Sequence, residues 1–172
     1  MHGDHSAALD TADWRADRDL LARHGIGLAE LFERRGLTLR SDWLAPWSVW
    51  ITPEFEPRRF HTWFLLARCP VEQRVLGISG ESTAARWIRP DDALRQADRD
   101  ELPLLPPQYC TFLELHGFRA LDQLFAARRA APVVAPALAV DGRGPYLALP
   151  DDLVELGVRI GHRMYDTTEE LR

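Results

Sequence analysis

Apolar positions near the N-terminus recur at helical spacing. "DWRADRDLLARH", Asp13 to His24, sets Trp14, Leu20 and Leu21 among charges and predicts a short, largely exposed helix ended by Gly25. "GLAELFERRG" places Leu28, Leu31 and Phe32 at i, i+3 and i+4 on one helical face, with Gly36 as its stop. The period then falls to two. Val49 and Ile51 alternate with Trp50 and Thr52, and Pro53 closes a strand predicted over Ser48 to Thr52. After the loop "PEFEP" a second alternation runs from Phe60 to Arg68. Phe60, Thr62, Phe64 and Leu66 share one face; His61, Trp63, Leu65 and Ala67 share the other. Both faces are mostly apolar, which predicts a central strand covered on two sides.

"STAARWIRP", ending at Pro90, is a third strand candidate. "PDDALRQAD" then opens with a proline and two aspartates, the chemistry of a helix N-terminus, where a missing N–H costs nothing and negative charge is favoured. "LPPQYCTFLELHGF" and "RALDQLFAARRA" predict a pair of helices separated near Gly117. "APVVAPALAVDGRGPYLALP" predicts two short strands about a DGRG turn, a hairpin. From Asp151 onward the pattern assigns no element. The expectation is an α+β chain, with residues 1–130 as the main domain and residues 131–172 as a hairpin and tail packed on it.

At 172 residues the chain suffices for one domain with a real core. The net charge of −5 removes electrostatic support for a nucleic-acid partner. No apolar stretch approaches the roughly 20 residues of a membrane span, so no membrane partner is expected, and the N-terminus lacks the basic start and apolar core of a signal peptide. Cys69 and Cys110 form neither a CxxC nor a metal spacing. Free thiols in a reducing cytoplasm are their simplest account.

Nucleophile-elbow, zinc-protease, phosphate-loop and dinucleotide fingerprints are all missing. Gly77 and Gly80 are too few to cradle a phosphate, and His2 and His5 lie at a chain end. His61 stands inside a strong element, and a buried or half-buried histidine bonded to a neighbour is the plainer reading of it. Arg58 and Arg59 enter the same strand side by side. Two guanidiniums there could clamp a phosphate or carboxylate bidentately. Alternatively they pair locally with Glu54 and Glu56, just upstream. Glu81 is a lone carboxylate before the third strand candidate.

Three stretches taken in order carry a resemblance: "WITPEFEPRRFHTWFLLARCP", "GESTAARWIRPDDAL" and "LPLLPPQYCTFLEL". They resemble the C-terminal half of a Nudix hydrolase, of the larger bacterial branch related to coenzyme A diphosphatases. In that branch a Trp-x-Thr-Pro segment precedes an Arg-Arg-Phe-Asp-Thr strand, and a Leu-Leu-Pro-Pro-Thr helix start follows. The resemblance implies a Nudix-like mixed sheet in an α/β/α sandwich, incomplete at the N-terminus. It implies a pyrophosphohydrolase of nucleoside diphosphate-linked compounds, with Mg²⁺ or Mn²⁺ as cofactor. By the same resemblance Arg58, Arg59 and Phe60 bind substrate, and Glu81 is an additional metal or water ligand.

The family's metal-binding box runs Gly, five residues, Glu, seven residues, Arg-Glu, an aliphatic residue, one residue, Glu-Glu, one residue, Gly and an aliphatic residue. No stretch of this sequence fits it; after Gly80 the position for Glu is Arg86. Two further departures are His61 where the family has Asp, and Gln108 where it has Thr. The expectation is therefore a truncated or box-less form, inactive alone. The alternative is a non-catalytic nucleotide- or phosphate-binding module. Exposed strand edges leave a homodimer open.

Overall fold

The computed structural model describes residues 12–70, 85–127, 130–142 and 144–162. The fold is α+β, and it divides into two compact units. One holds the described chain up to Leu44 together with residues 67–70 and 85–86, and the other holds Ala45–Leu66 and the described chain from Trp87, with most of the strands and the later helices.

In the first unit, α1 (Ala12–Ala22) and α2 (Leu28–Arg35) are tied by charge. Asp17 of α1 is buried, and it accepts from both Arg34 and Arg35 of α2, the latter through Nε at 2.6 Å. The Arg35 guanidinium also lies 4.9 Å from the centre of the Trp14 ring, a cation–π contact. Gly36 ends α2 in the left-handed conformation at φ 60°, as its position after the apolar stripe predicts. Beyond it, Arg40 caps the Trp43 ring and bonds Asp42, which holds the Asp42 carboxyl below its usual range.

The second unit is built on β1 (Leu44–Ile51), whose residues Trp47, Ser48, Val49 and Trp50 are all buried. β2 (His61–Ala67) and β3 (Val133–Val134) flank it in the order β2-β1-β3. β3 runs parallel to β1, with Val49 opposite Val133 and Trp50 opposite Val134. Thr52 N–H donates to Phe60 O at 3.0 Å and closes the connection from β1 to β2.

Three helices cover the sheet's Trp50 face or pack on one another behind it: α3 (Pro90–Ala97), α4 (Pro106–His116) and α6 (Asp151–Ile160). α4 buries Pro106, Tyr109, Cys110 and Leu113, a helical i, i+3, i+4, i+7 stripe. Cys110 joins Trp50, Val134 and Leu153 in one core, with Phe64 and Leu149 against it. Tyr109 and Leu113 join Leu94 in a second core that takes in Leu156 and Ile160 of α6. Polar latches fix the helix ends. The Asp98 carboxylate, at the end of α3, accepts the Tyr109 hydroxyl at 2.7 Å and meets His162 Nδ1 at 2.7 Å, while His116 Nδ1 meets Asp91 at 2.5 Å. Trp47 Nε1 donates to Glu114 at 2.9 Å and its ring stands edge-on to Phe118. A short helix, α5 (Leu121–Ala126), leads towards β3, and the hairpin follows as β4 (Ala137–Asp141) and β5 (Gly144–Ala148), antiparallel.

Several expectations are corrected. β2 is not a central strand: among the described residues it stands at the sheet's edge, and Trp63 and Leu65 on its outer face are 58% and 50% exposed. The apolar alternation gives the right period, but one face has no described cover. His61 is exposed, its ring tilted against Trp63 at 6.3 Å between centroids, and it has no hydrogen bond to a described residue. Of the third strand candidate, Ser82–Ala84 lies outside the described residues; Ala85–Arg89 forms no strand and leads into α3 through the extended Arg89. Helix α6 is an addition to the expected elements, as is β3 as a separate parallel strand.

Burial pushes the Cys110 thiol up to about 12, with Glu114 and Asp152 adding to the effect. Thiolate is the reactive form, so Cys110 should be inert in the folded protein while exposed Cys69 reacts. A thiol-reactive dye at pH 8 should label Cys69 promptly and Cys110 only after denaturation. The sign of the linkage follows: between the ordinary thiol value near 9 and about 12, only the unfolded chain loses this proton, so Cys110 should lower stability as pH rises through that window.

Candidate functional site

The end of β1 and the start of β2 face the first turn of α4 across a cavity of about 450 Å³. Phe60, Thr62 and Phe64 of the β2 segment line it, and they are the alternating set that the sequence assigned to one face. Trp50 to Pro53 come from the neighbouring strand end, Phe55 and Glu56 from the connecting loop, and Leu105 to Gln108 supply the helical wall. Pro136 and Leu147 complete it from the hairpin side. Trp50 and Phe64 also belong to the first core, so the cavity floor is core packing and is held rigidly.

The lining is aromatic and aliphatic, with few polar groups, as in most small-molecule sites. Among the described residues, no two of Trp50, Phe55, Phe60 and Phe64 make a ring–ring contact. Phe60 is 64% exposed, far more than a phenyl ring at a strand start needs to be. Its place is fixed by Thr52, whose Oγ1 accepts the Phe60 N–H at 2.9 Å.

The arginines stand beside this cavity without lining it. Both are exposed. Arg59 Nε donates to Thr52 O at 3.1 Å, which folds it over the base of the loop. Arg58 makes no hydrogen bond or ion pair to a described residue, and neither arginine pairs with Glu54 or Glu56. Phe60 is thus the one member of the sequence-derived set found in the cavity wall; Glu81 lies outside the described residues.

The sequence reading has the α4 wall as a predicted helix start with one departure, Gln108, and misses its hydrogen bonding. Pro106 and Pro107 carry no N–H, and the Leu105 N–H donates to Gln108 Oε1 at 2.7 Å. The N–H groups of Gln108 and Tyr109 both reach Leu105 O at 3.0 Å. The usual free donors of a helix start are therefore consumed or missing here. The signal is legible in "LPPQ", where two prolines precede a side chain able to reach back to the cap.

Among the described residues no set of three or more His, Cys, Asp or Glu side chains is placed to hold a metal ion. The cavity, with Glu56 as its single carboxylate, does not fit a divalent cation, and no chemical step is routed through one. No described helix is long and apolar enough to cross a membrane.

No protein-family model matches the chain, and no solved structure matches it. Two curated proteins are similar to part of it. The putative nudix hydrolase 7 of Caenorhabditis elegans is 34% identical over 91 residues, which is 53% of this chain and 31% of that protein. The acyl-coenzyme A diphosphatase NUDT19 of Xenopus laevis is 30% identical over 105 residues, 54% of this chain and 28% of that protein. The chain thus covers under a third of the length of either relative. Over about half of its own length, it is similar to one protein named a putative nudix hydrolase and one named an acyl-coenzyme A diphosphatase.

Proposed function

We propose that this chain is the substrate-binding portion of a Nudix-type hydrolase acting on a diphosphate that joins a nucleoside to an apolar group, as in an acyl-coenzyme A. The observation that carries the reading is the apolar cavity bordered by the loop with Arg58 and Arg59. In this reading the cavity takes the apolar group, and the two exposed guanidiniums take the diphosphate outside it. Similarity to a protein named acyl-coenzyme A diphosphatase supports this choice of substrate class.

The residues present are assigned binding and not bond cleavage. The sequence contains no stretch that fits the family's carboxylate box, which holds the divalent ion in Nudix enzymes. A second reading, a nucleotide- or phosphate-binding module with no catalytic role, rests on the same observation and keeps the same arginines. The apolar outer face of β2, with Trp63 and Leu65, offers an edge at which a second copy could pair.

The purified chain should hydrolyse coenzyme A, NADH and ADP-ribose at background rates with Mg²⁺ or Mn²⁺ present. Metal-dependent turnover that disappears in Glu81→Gln would overturn that assignment and place the reaction in this chain.

The arginine pair gives a separate test. Each charge-assisted bond to phosphate contributes about 1.5–3 kcal/mol before entropy costs. Two such bonds support ADP binding at a Kd of about millimolar to high micromolar. The double change Arg58→Gln/Arg59→Gln should abolish the calorimetric heat and leave the melting temperature within a degree or two, since both side chains are exposed. Binding should also weaken at high salt. Heat that persists in the Gln variant would remove the arginines from the site.

A further inference from the structure

The first turn of α4 is the cavity wall on which a charged ligand would ordinarily settle, since helix starts present free N–H groups and a positive end to anions. Here that provision is closed. Positions 106 and 107 are prolines, and the Leu105 N–H is already bonded to Gln108 Oε1. A backbone N–H can be accepted by the amide oxygen and not by the amide nitrogen, so this bond also fixes which way the Gln108 amide faces. Nε2 finds no acceptor among the described residues. Gln108 is exposed and lines the cavity, so Nε2 is accessible to a ligand there.

Two other polar side chains of the wall are less available. Thr52 Oγ1 is engaged with the Phe60 backbone on both its donor and acceptor sides, at 3.4 and 2.9 Å. Glu56 accepts only, when ionised. The Thr62 hydroxyl also lines the cavity but is held by no hydrogen bond to a described residue, so the Gln108 amide is the lining side-chain donor whose orientation a bond fixes.

We propose that Gln108 is a specificity-determining residue: the cavity takes a neutral apolar group bearing a carbonyl acceptor, Gln108 Nε2 donates to that carbonyl, and phosphate is kept out. This rests on the cavity's being the ligand site of the proposed function and adds which chemistry it reads. An apolar pocket discriminates poorly between ligands that differ by a methylene. A donor held in one orientation separates a ligand with an acceptor from one without by about the net contribution of one hydrogen bond.

The test compares two uncharged probes of equal chain length, S-ethyl hexanethioate, which carries a carbonyl, and ethyl hexyl sulfide, which does not. Binding is read from the side-chain amide signals in a ¹⁵N–¹H correlation spectrum. The chain has four glutamines and no asparagine, so these signals are few. The wild-type protein should bind the thioester about three- to tenfold more tightly than the sulfide, the ratio of one neutral hydrogen bond, and the Gln108 amide pair should shift with the thioester alone. Gln108→Glu keeps an acceptor for the Leu105 N–H, and so keeps the helix cap, but has no donor when ionised. Its thioester-to-sulfide ratio should fall to about one. If the new charge abolishes binding of both probes, Gln108→Met supplies the ratio instead, and the same collapse is expected. Equal binding of the two probes by wild type, binding of neither, or a ratio preserved in the variants would overturn the proposal. So would displacement of the thioester by inorganic pyrophosphate. Neither probe contains phosphate and no bond is cleaved. A failure of the hydrolase reading, seen with ADP and the arginine variant, is therefore distinguishable from a failure of this one.

Discussion

Helix α4 is the constraint on which the second unit depends. Its buried stripe faces two cores at once: Cys110 towards the sheet with Trp50, and Tyr109 and Leu113 towards α3 and α6. A helix packed on two sides can neither rotate nor slide without opening one of them. Its C-terminal turn is held too, by Trp47 on Glu114 and by His116 on Asp91. The N-terminal turn is consequently delivered to one place, opposite the start of β2, and the cavity between them inherits the rigidity of both cores. Such precision is what lets a single amide matter, since a donor on a mobile loop would relax to whatever acceptor came near.

Much of this is legible in the sequence, where a short-range rule has a single solution. The stripe of α2 and its glycine stop, the proline-and-aspartate start of α3 and the hairpin about Asp141 and Gly142 all follow from local chemistry. The face of β2 carrying Phe60, Thr62 and Phe64 is also right, because side-chain alternation is fixed by backbone geometry. What alternation cannot reveal is whether a neighbour exists. His61, Trp63 and Leu65 read as a second buried face, yet no described element covers them. Apolar composition is necessary for burial and does not cause it.

The missed helix α6 is a failure of another kind. Leu153, Leu156, Gly157 and Ile160 fall at i, i+3, i+4 and i+7, with Asp151 and Asp152 in the first turn and Gly161 in the left-handed cap at φ 76°. Acidic start and glycine stop signals are present, but the N-cap is Pro150, with no capping side chain, and a buried glycine inside the stripe weakens the apolar pattern by which a helix is recognised. Its place in the structure explains its tolerance. The adjacent Leu153, Leu156 and Ile160 supply the packing energy, and contact with α4 outweighs an intrinsic propensity cost of about 1 kcal/mol.

The candidate site is the least legible part, and the reason is the physics of charge. Sequence reading draws attention to Arg58 and Arg59 because a charged pair beside an apolar run is conspicuous. The structure leaves both in solvent and builds the wall from neutral residues and Glu56. These positions are consistent with one another. A guanidinium lining this cavity would have to shed its water beside Trp50 and Phe64, with Glu56 as the single anion among the lining residues, and desolvation opposes that arrangement strongly. An exposed arginine keeps its hydration until a phosphate arrives, and the exposed Gln108 amide carries no charge to desolvate. A ligand with one charged and one apolar end would therefore be read in two separate environments. The boundary between them is the Thr52–Phe60 bond, which anchors the loop that carries both arginines and sets the phenyl ring at the cavity mouth.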